Sequence, residues 1–398
     1  MRQFFALTLA MLCLTSSGWA QTTLPAVGTD ATFEVATWNI EWFGSSSNGP
    51  SNDARQLENA KAIIEEADID LWGVQEITDE ADFNQLLSEL GSEYAGVLAT
   101  QSTAQKIGFI YKPEVVQVTR VRHILTSFSF EFASRPPLEL QATITINGTS
   151  VPMTFVVVHM KAFGDRDSYN RRVAASGRLK SRFDILQPND NVILLGDYND
   201  RLIRSTYSGA STSPYKNFVD DTDDYLPLTL ALEQQGQGSF CSNNSCTVTG
   251  AFLDHILITD DLIPLYISGS VGRLTGVSSR VTLFGSTTSD HLPIYASFNL
   301  NPTNTGTEEG PAALHVDASV YPNPLGGSAA TLRYTLAEAG RTSIRVFDLL
   351  GREVQSIERL NGPGEHRQTL DLSDQAAGLY LVRVEAPEGR TTLQLVRY

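Results

Sequence analysis

The sequence is poor in positive charge, in cysteine and, beyond its first residues, in long apolar runs. Its 29 lysines and arginines are outnumbered by 45 aspartates and glutamates, which gives a formal net charge of −16 at pH 7. That acidity excludes a protein that holds nucleic acid on a broad basic surface. It leaves open an enzyme that binds a phosphodiester through a metal ion and a few local cations, because the ion reverses the charge of its site.

No stretch beyond residue 20 is long and apolar enough for a transmembrane helix, so we expect none in the mature chain. The first residues predict an export signal instead. Arg2 supplies a positive start, residues 4–14 form a short apolar run, and Gly18 and Ala20 supply the small residues of a cleavage site. We therefore expect residues 1–20 to be a signal peptide that is removed on export.

The shortage of cysteine also restricts the kinds of site that the chain can build. Three cysteines are present, and only Cys241 and Cys246 remain after signal cleavage. A zinc site would need further cysteine or histidine nearby, and only His255 follows closely. The spacing favours a small loop disulfide between Cys241 and Cys246, formed in an oxidising compartment.

The chain is long enough for two domains, and a change in composition marks the boundary between them. Residues 301–315 are rich in turn residues and have no apolar period, which predicts a linker. We expect a catalytic domain over residues 21–300 and a smaller domain over residues 316–398.

Before the linker, short apolar strands alternate with amphipathic helices. Helices are predicted over residues 53–67, where Asp53 and Gln56 have the spacing of a capping box, and over about residues 167–186. Several strands are continuous apolar runs, which is typical of burial on both faces. The pattern predicts an α/β (α+β) four-layer sandwich, with two packed mixed β-sheets flanked by helices. Strands are predicted over residues 33–40, 71–74, 106–111, 155–158, 192–195 and 256–258.

After the linker the pattern changes to strict alternation of apolar and polar residues. Leu332, Tyr334 and Leu336 face one way, while Arg333 and Thr335 face the other. Glycine and proline separate the alternating segments. This pattern predicts a small all-β sandwich of immunoglobulin-like type.

Carboxylate, amide and imidazole side chains lie next to the predicted strands of the first domain. Phosphodiester cleavage needs a metal ion, an activated water and a group that offsets charge on the leaving oxygen, and hard cations prefer carboxylate and amide oxygens. One such residue alone is more often a turn residue or a structural histidine. Six such segments in one chain indicate a common hydrolytic site. They are Trp38-Asn39-Ile40-Glu41, Gln75-Glu76, His159, Gly196-Asp197-Tyr198-Asn199, Leu253-Asp254-His255 and Ser289-Asp290-His291.

This set of segments resembles the endonuclease/exonuclease/phosphatase superfamily, over about residues 33–300 and in the family's order. The Gly-Asp-x-Asn and Ser-Asp-His segments are its most specific parts. The superfamily includes pancreatic-type deoxyribonucleases, abasic-site endonucleases, bacterial sphingomyelinases and inositol polyphosphate phosphatases. The resemblance implies a metal-dependent phosphoric diester hydrolase, with Mg²⁺, or else Mn²⁺ or Ca²⁺, as its cofactor.

The resemblance also implies which residues bind the metal ion. Glu76 would be the principal ligand, with Asn39 and Glu41 beside it. Asp290 would lie close to the same ion.

Five further residues would carry the catalytic roles. By the resemblance, Asp197 and Asn199 position the attacking water and the phosphate. His291 acts at the phosphate and is oriented by Asp254, a carboxylate that fixes the tautomer of the imidazole and raises its pKa. His159 is the second imidazole, which donates to phosphate or protonates the leaving oxygen.

The sequence departs from the deoxyribonuclease pattern at Gln105, where those enzymes carry a glutamate that supports the second imidazole. A glutamine can hydrogen-bond an imidazole but cannot stabilise its charged form as a carboxylate does. The departure weakens the case for His159 as a strong general acid. Lys106, the next residue, is instead expected to contact phosphate.

Basic residues recur along one face of the helix predicted after His159. Arg171, Arg178 and Arg182 have the spacing i, i+7 and i+11. A solvated face is one interpretation, and a guide for phosphate or for a nucleic-acid strand is the other. On the second interpretation, Arg171 and Arg178 bind substrate. Tyr111, Tyr169 and Tyr198 are candidates for stacking on bases, with burial as the alternative.

The C-terminal domain resembles the sorting domain of the type IX secretion pathway. The matching segments are Val-Tyr-Pro-Asn-Pro at residues 320–324 and residues 344–354 and 377–384. The resemblance implies that the type IX secretion machinery is a partner and that the protein is secreted or displayed on the outer-membrane surface. An adhesion module of the same fold is the alternative.

The sequence therefore predicts a secreted, monomeric nuclease that hydrolyses DNA or RNA. The alternatives are a sphingomyelinase- or phosphatase-like enzyme acting on lipid or sugar phosphates, and a non-catalytic surface binding protein of the same fold. A membrane-acting enzyme is expected to expose an apolar hairpin beside its site. Residues 262–284 are the only candidate for such a hairpin, but their apolar residues alternate with serine, glycine and arginine. This favours the nuclease.

Overall fold

The structure is a computed structural model that describes residues 23–100, 104–186, 190–301, 316–348, 352–387 and 389–398. The predicted signal peptide and all but residue 301 of the predicted linker lie outside these ranges. Within them, no helix is both long and apolar enough to cross a membrane.

Two six-stranded sheets form the centre of the described part of residues 23–301. The first has the strand order β11-β12-β1-β2-β4-β3, and the second has the order β5-β6-β7-β8-β10-β9. In chain order these strands are β1 (Phe33–Phe43), β2 (Leu71–Ile77), β3 (Ala95–Leu98), β4 (Lys106–Tyr111), β5 (Val116–His123), β6 (Leu138–Ile146), β7 (Thr149–His159), β8 (Val192–Asp197), β9 (Tyr225–Pro227), β10 (Asp254–Thr259), β11 (Gly272–Arg273) and β12 (Ile294–Phe298).

Each sheet is mixed and carries its parallel pair at its centre. In the first sheet β1 runs parallel to β2, and in the second β7 runs parallel to β8. The other pairings are antiparallel. The carboxyl ends of parallel strands meet at one edge of a sheet, which is where a site on such a fold is expected.

Apolar side chains fill the space between the two sheets and cover both outer faces. Phe33 of β1 and Phe155 of β7 meet edge to face across the sheets, with ring centroids 5.8 Å apart. A second cluster packs the outer face of the first sheet against helices, and a third does so for the second sheet. The predicted four-layer sandwich is therefore confirmed. Its helices are α1 (Asp53–Ala67), α2 (Glu80–Leu90), α3 (Arg166–Leu186), α4 (Lys216–Val219), α5 (Leu230–Gln234), α6 (Val277–Arg280) and α7 (Phe284–Thr287).

Helix α1 has the bounds that the sequence predicts, but its cap differs. The Asn52 side chain caps the helix by accepting a hydrogen bond from the Arg55 amide at 3.0 Å. The expected capping box of Asp53 and Gln56 is wrong, because the Gln56 side chain is buried and turns toward the end of β1. The helix ends at Asp68, which adopts the left-handed conformation.

The C-terminal residues form the predicted all-β sandwich. One sheet has the order β13-β14-β17 and the other has the order β16-β15-β18-β19. The alternating residues Leu332, Tyr334 and Leu336 are all buried in its core. Arg390 of this sandwich forms an ion pair with Asp260 at 2.7 Å. The strands are β13 (Asp317–Tyr321), β14 (Ala329–Leu336), β15 (Gly340–Asp348), β16 (Glu353–Asn361), β17 (Gly364–Asp371), β18 (Gly378–Ala386) and β19 (Gly389–Arg397).

Glycine is required at position 196, near the end of β8. Its φ is +148°, and a Cβ placed there would lie 2.1 Å from the carbonyl oxygen of Val158 on the neighbouring strand. Gly196→Ala is therefore expected to lower the free energy of unfolding by at least about 2 kcal/mol. The control is Gly177→Ala on α3, where a Cβ meets nothing within 4 Å. That change is expected to stabilise the protein by about 0.5–1 kcal/mol. Chemical denaturation of both variants tests the pair, and equal losses would contradict it.

Candidate active site

The segments that carry carboxylate, amide and imidazole side chains meet where the two pairs of parallel strands end. In the second sheet, His159 at the end of β7 lies directly opposite Asp197 at the end of β8. Asp254, the first residue of β10, is the partner of Asp197 on its other side. In the first sheet, Asn39 and Gln75 are partners on β1 and β2, so Glu76 follows at the same edge. The topology thus gathers residues that are far apart in the sequence.

The Asn39 amide links the two sheets within this cluster. Asn39 is 1% exposed. Its Nδ2 donates to Glu76 Oε1 and to Asp197 Oδ2, each at 3.1 Å. Its Oδ1 accepts a hydrogen bond from the Glu41 amide at 3.0 Å. A neutral amide therefore separates two carboxylates that would otherwise repel each other.

Carboxylates crowd around Glu41 without enough positive charge to balance them. Burial raises the pKa of Glu41 to about 8, and the charges of Asp290 and Glu76 act in the same direction. Its buried Oε2 has no hydrogen-bond partner among the described residues. The side chains of Glu76 and Asp290 are 14% and 33% exposed, so the group opens toward solvent. Oxygen donors in this state fit a hard divalent cation, which would satisfy the free oxygen and lower the repulsion.

Several residues of the cluster have a strained backbone. Glu41, Trp42, Glu76 and Asn199 all lie in the left-handed region, with φ between 39° and 63°. Such a conformation costs a non-glycine residue on the order of 1–3 kcal/mol and persists only where its surroundings enforce it. Residues at functional sites often carry this kind of strain.

Gln56 is one of the groups that enforces this conformation. The side chain is fully buried, and its Nε2 donates to the carbonyl oxygens of Ile40 and Glu41, each at 2.8 Å, and of Thr288 at 3.0 Å. It therefore ties α1 to the end of β1 and to the segment just before Asp290. Gln56 positions Glu41 through the main chain.

His291 forms a buried pair with Asp254. The Nδ1 of the imidazole lies 2.7 Å from Asp254 Oδ2. Burial alone would lower the pKa of His291, but the charge of Asp254 and its hydrogen bond raise the pKa well above the ordinary value. The main chain of His291 is fixed as well, since its amide donates to Ser289 Oγ at 2.9 Å and its carbonyl accepts from Trp38 Nε1 at 3.1 Å. His291 is therefore a positively charged imidazole in a fixed orientation.

His159 has the opposite protonation state. Its Nε2 lies 3.6 Å from both Glu76 Oε1 and Asp197 Oδ2. Burial lowers the pKa of His159 well below its ordinary value, and the charges of Arg135 and His291 lower it further. The ring is therefore neutral at pH 7. Two imidazoles whose pKa values differ in this way suit different tasks in acid–base catalysis.

Asp197 lies between the two imidazoles and is braced by Asn199. Its Oδ1 accepts from the Asn199 amide at 2.8 Å, and its Oδ2 accepts from Asn199 Nδ2 at 3.0 Å. Burial raises the pKa of Asp197 to about 7, and the charge of Asp254 raises it while that of His291 lowers it. A carboxyl with a pKa near neutrality is suited to accepting a proton.

Asp197, Asp254 and His291 also have ligand atoms that lie within 4.8 Å of one another, as a metal site would require. The hydrogen bond at 2.7 Å, however, uses Nδ1 of His291 and one oxygen of Asp254. Glu41 Oε2 and Asp254 Oδ1 are both buried without a hydrogen-bond partner among the described residues. The group around Glu41 also opens toward solvent through Glu76 and Asp290, which favours it as the position for a cation.

Contact with substrate is also predicted for Lys106, Tyr111 and Tyr198. Lys106 is the partner of Ile77 and pairs with Glu80 at 2.9 Å. Tyr111 lies at the far end of β4, opposite Leu71, so the structure does not bring it to the site. Tyr198 is buried and its hydroxyl donates to the Leu194 carbonyl, so it cannot stack on a base.

The two basic residues expected to guide substrate lie along α3. Arg171 donates to the carbonyl oxygen of Phe130, and its guanidinium lies over the Phe130 ring. Arg178 lies over the ring of Phe128. Tyr169 is half-buried on the same helix, with its ring centroid 5.8 Å from that of Tyr207.

Arg135, which no sequence motif indicates, lies behind His159. Its Nε donates to the His159 carbonyl at 3.2 Å, its Nη2 to the Met160 carbonyl at 3.0 Å and its Nη1 to Gln105 Oε1 at 2.8 Å. Burial lowers its pKa, and the charges of Glu76 and Asp197 raise it. A single arginine before two prolines carries no recognisable motif. Gln105, the residue at which the sequence departs from the deoxyribonuclease pattern, accepts a hydrogen bond from this arginine.

The predicted disulfide is confirmed, and it lies beside the site. Cys241 and Cys246 are bonded to each other. The Cys241 amide donates to the carbonyl oxygen of Asp290 at 2.6 Å, and Phe240 forms a bridge with His291. The bonded loop therefore pairs with the segment that carries Asp290 and His291.

A four-layer sandwich that gathers carboxylates, amides and two imidazoles at the ends of its parallel strands defines a phosphoesterase-type domain. Residues 36–291 match the model of the Endonuclease/Exonuclease/phosphatase family, and the chain belongs to that family. Residues 319–397 match the secretion system C-terminal sorting domain, which marks a type IX cargo that is secreted or displayed on the cell surface.

Solved structures of several functions are similar to the chain, whereas no curated protein sequence matches it. One is TDP2 of D. rerio humanized by 14 mutations, at 14% identity, covering 68% of this chain and 99% of that chain with a TM-score of 0.48. The human Nocturnin catalytic domain with bound sulfate shares 16% identity over 67% of this chain and 94% of its own, with a TM-score of 0.47. The mannosyl-6-phosphatase of Bacteroides thetaiotaomicron shares 15% identity over 67% and 99% of the two chains, with a TM-score of 0.46.

The Asp254→Asn substitution tests the origin of the His291 charge. Without the carboxylate, burial is the dominant remaining influence, so the pKa of His291 is expected to fall. The measurement is an NMR titration of the imidazole in protein kept free of metal with a chelator. The wild-type protein, titrated under the same conditions, is the reference. An unchanged titration of His291 in the variant would contradict the assigned cause.

Proposed function

We propose that the protein is an exported, divalent-metal-dependent phosphodiesterase, and specifically a nuclease that hydrolyses DNA or RNA. The observation that carries this proposal is the group of under-compensated carboxylates beside two imidazoles, one positively charged and one neutral. Hydrolysis of a phosphodiester needs a cation, a base for water and donors to the phosphate within one small volume. The residues of this cluster would supply the ligands for the cation, a carboxylate base and two imidazole donors.

The carboxylates of Glu41, Glu76 and Asp290 would hold the cation. When bound there, Mg²⁺, or else Mn²⁺ or Ca²⁺, supplies a Lewis acid that polarises the phosphate and offsets developing charge. Asn39, which the resemblance implies as a further ligand, would offer its Oδ1 to the cation, while its Nδ2 donates to Glu76 and Asp197. It therefore orients Glu76.

The remaining residues act on water and on the phosphate. Asp197, braced by Asn199, accepts the proton of the attacking water. His291, charged and fixed by Asp254, donates to a phosphate oxygen and offsets its charge. His159, being neutral, donates a hydrogen bond to the phosphate or to the leaving oxygen, and the leaving oxygen takes its proton from solvent water.

A nucleic-acid substrate is favoured over a lipid by the surroundings of the site. Basic side chains lie along α3 just after His159, in a chain that is otherwise strongly acidic. Residues 262–284 form turns, β11, α6 and the start of α7 rather than an apolar hairpin. A non-catalytic role is disfavoured, because a binding surface alone has no need of four strained residues around unbalanced carboxylates.

Two substitutions test this function. Glu76→Gln removes a cation ligand and His291→Ala removes the charged imidazole, and each is expected to lower kcat by about 10²–10⁴-fold. The full-length protein is assayed on plasmid DNA, RNA and sphingomyelin with Mg²⁺, with and without a chelator. The wild type should cleave a nucleic acid only when the metal is available.

Matched controls are Glu65→Gln, which alters an exposed ion pair on α1, and His366→Ala in the C-terminal sandwich. Both are expected to leave the rate unchanged. Full activity in Glu76→Gln and His291→Ala would refute the assigned site. Hydrolysis of sphingomyelin but not of nucleic acid would refute the assigned substrate.

A further inference from the structure

Two phenylalanines project into solvent beside the end of β7. Phe130 is 65% exposed and Phe163 is 72% exposed. They are the only phenylalanines among the described residues that are exposed to this degree. Such rings contribute little to the core, so their position calls for another explanation.

Neighbouring arginines of α3 hold the two loops that carry these rings. Arg171 donates to the carbonyl oxygen of Phe130 from Nε at 3.0 Å and from Nη2 at 2.5 Å. Arg172 donates from Nη1 to the carbonyl oxygens of Lys161 at 2.6 Å and of Phe163 at 2.9 Å. Because these arginines are consecutive, both loops are tied to the same turn of one helix.

The Arg172 anchor is buried and charge-balanced. Its side chain is fully buried and lies 2.9 Å from Asp200. It holds Phe163 at a φ of +81°, a conformation that a bulky side chain rarely adopts. Burial of the ring does not offset this strain, since the ring is exposed. The anchored, strained backbone keeps the ring pointed away from the protein.

A cation covers one face of each ring. The Arg171 guanidinium lies 4.2 Å from the Phe130 centroid, and Lys161 Nζ lies 4.3 Å from the Phe163 centroid. Because both rings are mostly exposed, the rest of each ring is accessible to a ligand. A flat apolar face next to a cation suits a planar base joined to a phosphate.

The rings and cations lie close to the catalytic cluster. Lys161 follows His159 by two residues, and Arg135 is hydrogen-bonded to the His159 carbonyl. Arg135 also donates to the carbonyl oxygen of Met160, the residue between His159 and Lys161. The rings therefore border the site on the His159 side.

We propose that Phe130 and Phe163 form a stacking platform for unpaired bases next to the scissile phosphate, with Arg171 and Lys161 attracting the adjacent backbone. This inference rests on the proposed phosphodiesterase function and narrows its substrate to single-stranded or locally unpaired nucleic acid. A base within a duplex offers no free face to such rings. Insertion of the rings into a lipid surface is disfavoured, because the cation over each ring would have to be dehydrated with it.

The test compares ligands that differ only in their bases. Single-stranded oligonucleotides are compared with oligonucleotides of equal length whose sugars are abasic, and with the corresponding duplex. Binding to the full-length protein is measured by fluorescence anisotropy with a chelator present, and hydrolysis is measured with Mg²⁺. The Phe130→Ala/Phe163→Ala double variant is expected to bind the single strand about tenfold or more weakly and to raise KM with little change in kcat. Binding of the abasic strand should not change.

Further variants separate loss of the rings from damage to the fold. Phe163→Gly suits the positive φ and removes the ring, so it should fold normally and still weaken binding. Phe130→Tyr and Phe163→Tyr keep the rings and should bind as the wild type does. Leu360→Ala removes an equally exposed apolar side chain, 86% exposed, from the C-terminal sandwich and should have no effect.

Each outcome has a defined meaning. Equal losses on the base-containing and abasic strands, or no loss on either, would overturn the stacking platform. So would a loss confined to sphingomyelin vesicles, which would indicate a lipid contact. Hydrolysis of the abasic strand, which offers no ring for stacking, should be unchanged in the ring variants. A wild type that cleaves no diester refutes the proposed function, whereas the binding comparison still decides the platform.

Discussion

The burial of several like charges in one small volume is the constraint on which the rest of the site depends. Glu41, Glu76, Asp197 and Asp290 lie close together at the ends of two sheets. Removing charges from water is costly, and their mutual repulsion adds to that cost. The protein offsets the cost with the Asn39 amide, which separates two of the carboxylates, and with the charge of His291. The remaining imbalance is what a bound cation would offset.

The same constraint accounts for the protonation of the two imidazoles. His291 has a carboxylate partner at 2.7 Å and holds a proton, whereas His159 has Arg135 behind it and does not. Both rings are almost fully buried. Their neighbours therefore set their charges, and the two roles cannot be exchanged without rebuilding both surroundings.

Much of the site could be predicted from the sequence, because strand ends and polar residues coincide in it. Apolar runs that end in Glu76, His159 or Asp197 are recognisable in one dimension, and parallel pairing then brings such ends together. Tyr111 shows the limit of this reasoning. It also ends an apolar run, but β4 runs antiparallel to β2, so its end lies at the opposite edge. Strand direction is a property of the whole sheet and cannot be read from one segment.

Groups that act through the main chain could not be predicted at all. Gln56 and Arg135 bind carbonyl oxygens of residues that are distant in the sequence, and such contacts leave no spacing rule. The sequence pattern predicts Gln56 in a local capping box with Asp53 as the N-cap. The N-cap is Asn52 instead, so Gln56 is the fourth residue of the helix and not the third. The disulfide could be predicted, because two cysteines so close in a loop have few other partners.

The packing of the two sheets also sets the distance between the two halves of the chemistry. The carboxylates of Glu41 and Glu76 extend from the first sheet, and His159 and Asp197 extend from the second. Apolar side chains between the sheets act as a spacer of fixed thickness. At Gly73 of β2 no free space is left between the sheets, because a Cβ would lie 2.6 Å from Leu195 and 3.2 Å from Val157. The volume of side chains remote from the substrate therefore fixes the distance between the carboxylates of the first sheet and the imidazole of the second.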